Sequence, residues 1–136
     1  MKGNLEQKRA AYALEAIEKR RSLLKGDSRA RYLNRVKSLS ATIIMCGLGQ
    51  SAATLLAVGK GDGDNPDQML YEDLSGWLCG DRGFLKNKNL IKAISNSDRK
   101  TYIRAQAEAL KVLEWLKKFA TAYLSQEVKA NETTLV

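Results

Sequence analysis

The chain has 136 residues, 44% hydrophobic and 28% charged, with 23 Lys and Arg against 15 Asp and Glu for a net charge of +8. That is one domain by size, long enough to bury a core without disulfides or metal. It contains no histidine, which excludes Ser/His and Cys/His nucleophiles, imidazole acid–base chemistry and the usual zinc ligands.

A single Pro and abundant Ala, Leu, Lys and Glu favour helix throughout. Asn4 predicts the cap of a first helix, with Gln7 in the reciprocal capping-box position. That helix runs to about Leu24 through Leu5, Tyr12, Ala13, Ala16 and Ile17, then breaks at Lys25-Gly26-Asp27. A second, capped by Asp27 or Ser28, turns Tyr32, Val36, Leu39, Ile43 and Ile44 inward and ends at Gly47. Gly47-Leu48-Gly49-Gln50 reads as a tight turn into a short uncharged helix, Ala52 to Val58, predicted to be central.

After a Gly/Asp-rich loop from Gly59 to Asn65, the run Asn65-Pro66-Asp67-Gln68 opens a fourth helix with a cap, a first-position Pro and an acid near its positive end. Met69, Leu70, Leu74, Trp77 and Leu78 form its apolar side, and Cys79 to Gly83 breaks it. A fifth helix covers about Asn87 to Ser95. The sixth and longest spans Asp98 to Leu124, with Ala109, Leu113, Leu116, Ala120 and Tyr123 forming one stripe. Lys100, Arg104, Lys111 and Lys118 share another of its faces. The expected fold is all-α: one bundle of five to six helices over residues 1–126 with a long C-terminal helix, followed by a frayed tail over 127–136.

Charge is unevenly spread. Residues 1–46 carry eleven bases and four acids (+7), residues 60–81 one base and six acids (−5), and residues 82–136 eleven bases and five acids (+6). Two basic segments flanking an acidic middle suit a polyanion-facing surface and a separate protein-facing one. No apolar run approaches the roughly 20 residues of a membrane span, and the basic start MKGNLEQKRA has no hydrophobic stretch behind it. The expectation is a cytoplasmic protein without membrane contact.

Most candidate sites dissolve on inspection. Cys46 and Cys79 stand far apart and read as buried thiols, so neither metal nor cofactor is expected. Asp62-Gly63-Asp64-Asn65 begins like a calcium loop, but Pro66 and Asp67 fall where a ligand and the glycine belong. Gly47-Leu48-Gly49-Gln50 lacks the Lys-Ser/Thr of a phosphate loop and the strand before it. The carboxylate pairs Glu15/Glu18 and Glu72/Asp73 lie beside bases or caps rather than in a cleft with unlike environments. No catalytic residue is therefore expected. Trp77 and Trp115 sit on apolar stripes and read as packing.

The basic constellation carries more. Lys8 and Lys19 are eleven residues apart, about three helical turns, as are Arg9 and Arg20; Arg31 and Arg35 are one turn apart. These six are the candidate RNA-binding residues, contacting phosphate without reading sequence. A solvated charged face is the alternative.

Three segments in order carry a resemblance: Glu6-Gln7-Lys8-Arg9-Ala10-Ala11-Tyr12-Ala13, then Cys46-Gly47-Leu48-Gly49-Gln50, then Tyr102-Ile103-Arg104-Ala105 with Glu114-Trp115-Leu116-Lys117-Lys118-Phe119-Ala120. Together they resemble the small helical subunit of the type III-B CRISPR effector, the RAMP-module (Cmr) complex, over about residues 4–124. The resemblance implies a non-catalytic role in antiviral defence: copies of the chain stacked head to tail beside a filament of RAMP backbone subunits, touching the large subunit and lining the groove of guide and target RNA. The analogous type III-A small subunit and a helical adaptor that binds only protein are the other readings.

Overall fold

The structure, a computed structural model, describes residues 3–79, 85–87 and 89–134, with side chains described to Ser125. Among these residues there are six α-helices: α1 Leu5–Leu23, α2 Asp27–Cys46, α3 Leu48–Gly59, α4 Pro66–Leu78, α5 Leu90–Ser95 and α6 Arg99–Thr134. The all-helical expectation and the long final helix hold. The predicted break at Cys79–Gly83 lies, beyond Cys79, outside the described residues, and the predicted tail falls where side chains are not described.

Local chemistry accounts for the starts of α1, α4 and α6, but not of α2. Asp27 and Ser28 lie inside that helix, and Gly26, which has no side chain to accept from the first amides, stands at its cap. The Asn4 side chain accepts from the Gln7 amide at 2.8 Å while the Gln7 side chain accepts from the Asn4 amide at 2.9 Å, the reciprocal box that the sequence predicts. Asn65 accepts from the Asp67 amide at 2.8 Å to open α4, and Asp98 accepts from the Thr101 amide at 2.7 Å to open α6. The Thr101 bonds hold the Asp98 carboxyl below its ordinary value.

The start of α3 departs from expectation. The helix begins at Leu48, not Ala52, because its free amides are satisfied from outside the segment. The Leu48 amide donates to Gln106 Oε1 at 2.9 Å and the Gly49 amide to Tyr102 Oη at 2.8 Å, both on α6. Gly47 makes the corner with φ +87°, and a Cβ there would lie 3.1 Å from the Tyr102 hydroxyl. α5 is shorter than predicted, since Asn89 rather than Asn87 caps it through the Lys92 amide.

α6, and not the uncharged α3 as the sequence suggests, is the central element. α1 and α2 pack along it most extensively and α4 also contacts it, while α3 packs on α4, α2 and α5 and leaves Ala53, Thr54 and Ala57 exposed. Ala105, Ala109, Val112, Leu113, Leu116, Ala120 and Leu124 of α6 are buried together with Ile17, Tyr32, Val36, Ile43, Leu48, Leu70 and Leu74 from the other helices. Three assignments are corrected. Tyr123 is exposed at the edge of the stripe, stacked against Phe119 with ring centroids 6.4 Å apart. Ile44 points to solvent, because Ile43 takes the inward position and its neighbour is turned about 100° away. Cys46, in the last turn of α2, is exposed, and only Cys79 is a buried thiol, its ionisation pushed up by burial.

Leu116→Ala is expected to lower stability by roughly 2–5 kcal/mol in chemical denaturation. Tyr102→Phe, which removes one cap of α3, is expected to cost about 0.5–2 kcal/mol.

Candidate nucleic-acid interface

The six candidate arginines and lysines divide by where their helices put them. The eleven-residue spacing of Arg9 and Arg20 does place them on one face of α1, but that face is the inner one, shared with Ala13, Ala16 and Ile17. Arg9 is 5% exposed and Arg20 4%. Both side chains turn inward, and the reason is electrostatic: each meets a buried carboxylate from another helix.

Arg9 Nε and Nη2 donate to the two carboxylate oxygens of Glu108 at 2.6 and 2.7 Å, a bidentate pair. The Trp77 indole N–H donates to the same carboxylate at 2.8 Å. Burial raises the Glu108 carboxyl's pKa, but the bonds from Arg9 and Trp77 outweigh it and hold the group below its ordinary value. One acid thereby joins α6, α1 and α4.

Arg20 Nη2 donates to Asp73 Oδ1 at 2.7 Å and to the Met69 carbonyl at 3.2 Å, with Nε on the same carboxylate. The Tyr32 hydroxyl donates to Asp73 Oδ2, and the Tyr12 hydroxyl donates to the Asp73 carbonyl at 2.6 Å. Burial pushes the Asp73 carboxyl up and the Arg20 bond only partly offsets it. Burial also drives the Tyr12 and Tyr32 hydroxyls well above their ordinary range, so both stay protonated donors. This second hub joins α4, α1 and α2.

Arg31 and Arg35 are placed differently. Both reach Asp67, which is fully buried at the start of α4: Arg31 Nη2 lies 3.0 Å from Oδ2 and Arg35 Nε 2.6 Å from Oδ1. Their side chains remain about half and two-fifths exposed. Two cations share one carboxylate, so the cluster keeps a net positive charge at the surface. With Asp27, Asn34 and Ser38 they line one side of α2 along a shallow concavity of about 440 Å³. Lys19 is exposed and Lys8 partly so. The structure therefore brings Arg31 and Arg35 together, leaves Lys8 and Lys19 separate on α1, and removes Arg9 and Arg20 from the surface.

The acidic middle segment is likewise not a single outward patch. Asp67 and Asp73 turn inward onto arginines, while Asp62, Asp64 and Glu72 stay exposed. The overlooked signal is positional: Asp73 and Glu108 each sit at an inward step of an otherwise apolar stripe, beside Leu74 and Ala109. An acid there needs a buried cation. On the outer side of α6, Lys100, Arg104, Lys111 and Lys118 are all exposed as predicted, and Lys118 Nζ lies 5.9 Å from the Trp115 ring centre. Among the described residues no helix is long and apolar enough to cross a membrane.

Arg20→Ala is expected to cost about 3–5 kcal/mol, because it strands Asp73 without its partner. Glu108 works the other way with pH. Its depressed ionisation means that its contribution is present above the ordinary value of 4.5 and is lost as pH falls through the lower folded value. Glu108→Gln should therefore flatten the acid limb of a stability–pH profile; a limb as steep as in the wild type would contradict the pairing.

The family model of the CRISPR-associated protein Cas_Cmr5 matches residues 5–123. The chain is 29% identical over 115 residues to a CRISPR system Cmr subunit, Cmr5, of Thermus thermophilus, covering 85% of this chain and 94% of that protein. Its fold is similar to the crystal structure of a CRISPR-associated Cmr5 family protein from the same organism, with a TM-score of 0.69, 25% identity, and coverage of 90% and 99% of the two chains. The chain with these two buried arginine hubs belongs to the Cas_Cmr5 family of CRISPR-associated proteins.

Proposed function

We propose that this protein is the non-catalytic small subunit of a cytoplasmic type III-B CRISPR-Cas effector complex. Several copies stack along the filament of RAMP backbone subunits, contact the large subunit, and line the guide and target RNA groove with basic residues in antiviral defence. The observation that carries this reading is the family match over residues 5–123, nearly the whole chain. The chemistry is consistent with it. The chain has no histidine, and its buried carboxylates Glu108 and Asp73 are engaged by arginines rather than poised for proton transfer.

RNA contact falls to cations that the fold leaves outside. Arg31 and Arg35 are the best placed, because Asp67 holds both guanidinium groups in fixed positions, so little side-chain freedom is lost when phosphate binds. Lys8 and Lys19 on α1 complete the proposed set. Contacts of this kind are independent of sequence and sensitive to salt.

Purification of the tagged chain from its host should recover RAMP subunits and guide RNA; recovery of neither would overturn the assignment. In the assembled complex, Lys19→Gln with Arg31→Gln leaves Asp67 its Arg35 partner. That pair should weaken target RNA binding and flatten its salt dependence by about 0.7 per lost phosphate contact. Unchanged affinity and slope would move the RNA to another face.

A further inference from the structure

Three aromatic side chains climb α6 at successive steps of four residues. The Trp115 and Phe119 rings have centroids 5.7 Å apart with planes at 31°, and those of Phe119 and Tyr123 are 6.4 Å apart at 35°. Trp115 and Phe119 are partly buried against the core and Tyr123 is exposed, so the row reaches the surface along its length. The Trp115 indole N–H donates to the Glu6 carboxylate of α1, which also meets Arg9 at 3.5 Å. That bond fixes the orientation of the ring, and Arg9 offsets the charge of the acid that holds it.

Cations run beside this row. Lys111 and Lys118 are exposed and lie roughly 40° and 60° around the helix from Trp115, both on the same side. Lys118 Nζ stands 5.9 Å from the Trp115 ring centre. From Arg99 to Tyr123 the exposed side chains of α6 include six cations and a single acid, Glu114. Covering the edge of a core needs only apolar volume, which leucine or methionine would supply. Stacked rings bordered by ammonium groups match a more particular ligand, flat nucleobases joined by phosphate. Bases in a duplex spend their faces on one another, whereas an unpaired strand offers them.

We propose that Trp115, Phe119 and Tyr123 form a stacking platform for successive bases of unpaired RNA, with Lys111 and Lys118 on its phosphates. The choice of RNA rests on the proposed function. The platform goes beyond the phosphate contacts of Arg31 and Arg35, because it engages bases and lies on a different helix. Every base has a stacking face, so no sequence preference is expected.

The test is a fluorescence-anisotropy titration of the purified chain at low salt with a labelled, unstructured oligouridine. An abasic ribose-phosphate strand of the same length serves as the second ligand. Trp115→Leu and Tyr123→Leu should each weaken oligouridine binding about five-fold or more while leaving its salt slope unchanged. Trp115→Phe, which keeps a ring, should retain most of the affinity. Lys118→Gln should instead lower the salt slope by about 0.7. The abasic strand should bind the wild type and both leucine variants alike, since no base remains to stack. Circular dichroism checks the fold, and the exposed Tyr123 keeps the test decisive should Trp115→Leu loosen the bundle.

Wild-type affinity in Tyr123→Leu and a folded Trp115→Leu would overturn the proposal, as would equal sensitivity of the abasic strand or no binding by the wild type. Leucine variants that keep RNA affinity but no longer co-purify with other subunits would make the row a protein-docking face instead. The titrations use the chain alone, so their failure leaves membership of the effector complex standing. Failure to recover RAMP subunits likewise leaves the stacking platform standing.

Discussion

Removing a guanidinium from water costs several kcal/mol unless a carboxylate meets it in good geometry, and this bundle removes two from one helix. Arg9 and Arg20 sit near the two ends of the inner face of α1, about three turns apart, with only Ala13, Ala16 and Ile17 buried between them. Such a small apolar stripe packs almost equally well after a slide or rotation, so shape alone specifies its register weakly. The arginines supply what the alanines lack. Each has one buried carboxylate that satisfies it, Glu108 on α6 and Asp73 on α4, and any slip strands two charges at once. The gain is positional rather than a large net stabilisation, since an ion pair of this kind competes closely with well-packed apolar residues.

The hubs also determine what the surface can do. Asp73 and Glu108 are engaged by Arg20, Tyr32, Arg9 and Trp77, so these acids serve the interior. Asp67 is intermediate: it is buried, but its two partners reach it from the surface of α2 and keep a net positive charge outside. One helix thus carries three kinds of surface in sequence. The concavity of Leu23, Leu24 and Met69 lies at its start, the fixed cations line its first half together with Asp27, and the apolar Ile44–Met45 tip lies at its end.

Much of this is legible in the chain of residues alone. Capping residues are local chemistry, and Asn4, Asn65 and Asp98 open their helices as the sequence predicts. The apolar periodicity of α6 identifies its buried stripe except for Tyr123. The Glu-Gln-Lys-Arg, Cys-Gly-Leu-Gly-Gln and Glu-Trp-Leu-Lys-Lys-Phe-Ala segments, taken together, identify the family to which the chain belongs. Two kinds of fact are out of reach. The start of α3 depends on Gln106 and Tyr102, more than fifty residues away in sequence. Eleven-residue spacing says that Arg9 and Arg20 share a face, but not which side that face is on. Deciding that requires attention to the acids at inward steps on α4 and α6, whose counter-charges have to come from somewhere.

The most direct test of the hubs is a double-mutant cycle on Arg20 and Asp73 by chemical denaturation, with Arg20→Met, Asp73→Leu and the pair combined. If the ion pair sets the register, each single change should be strongly destabilising because it leaves a buried charge alone. The double variant should then recover much of the loss, giving a coupling on the order of 1–3 kcal/mol. Additive losses would mean that Arg20 and Asp73 are neighbours without being partners, and the placement of α1 would need another cause.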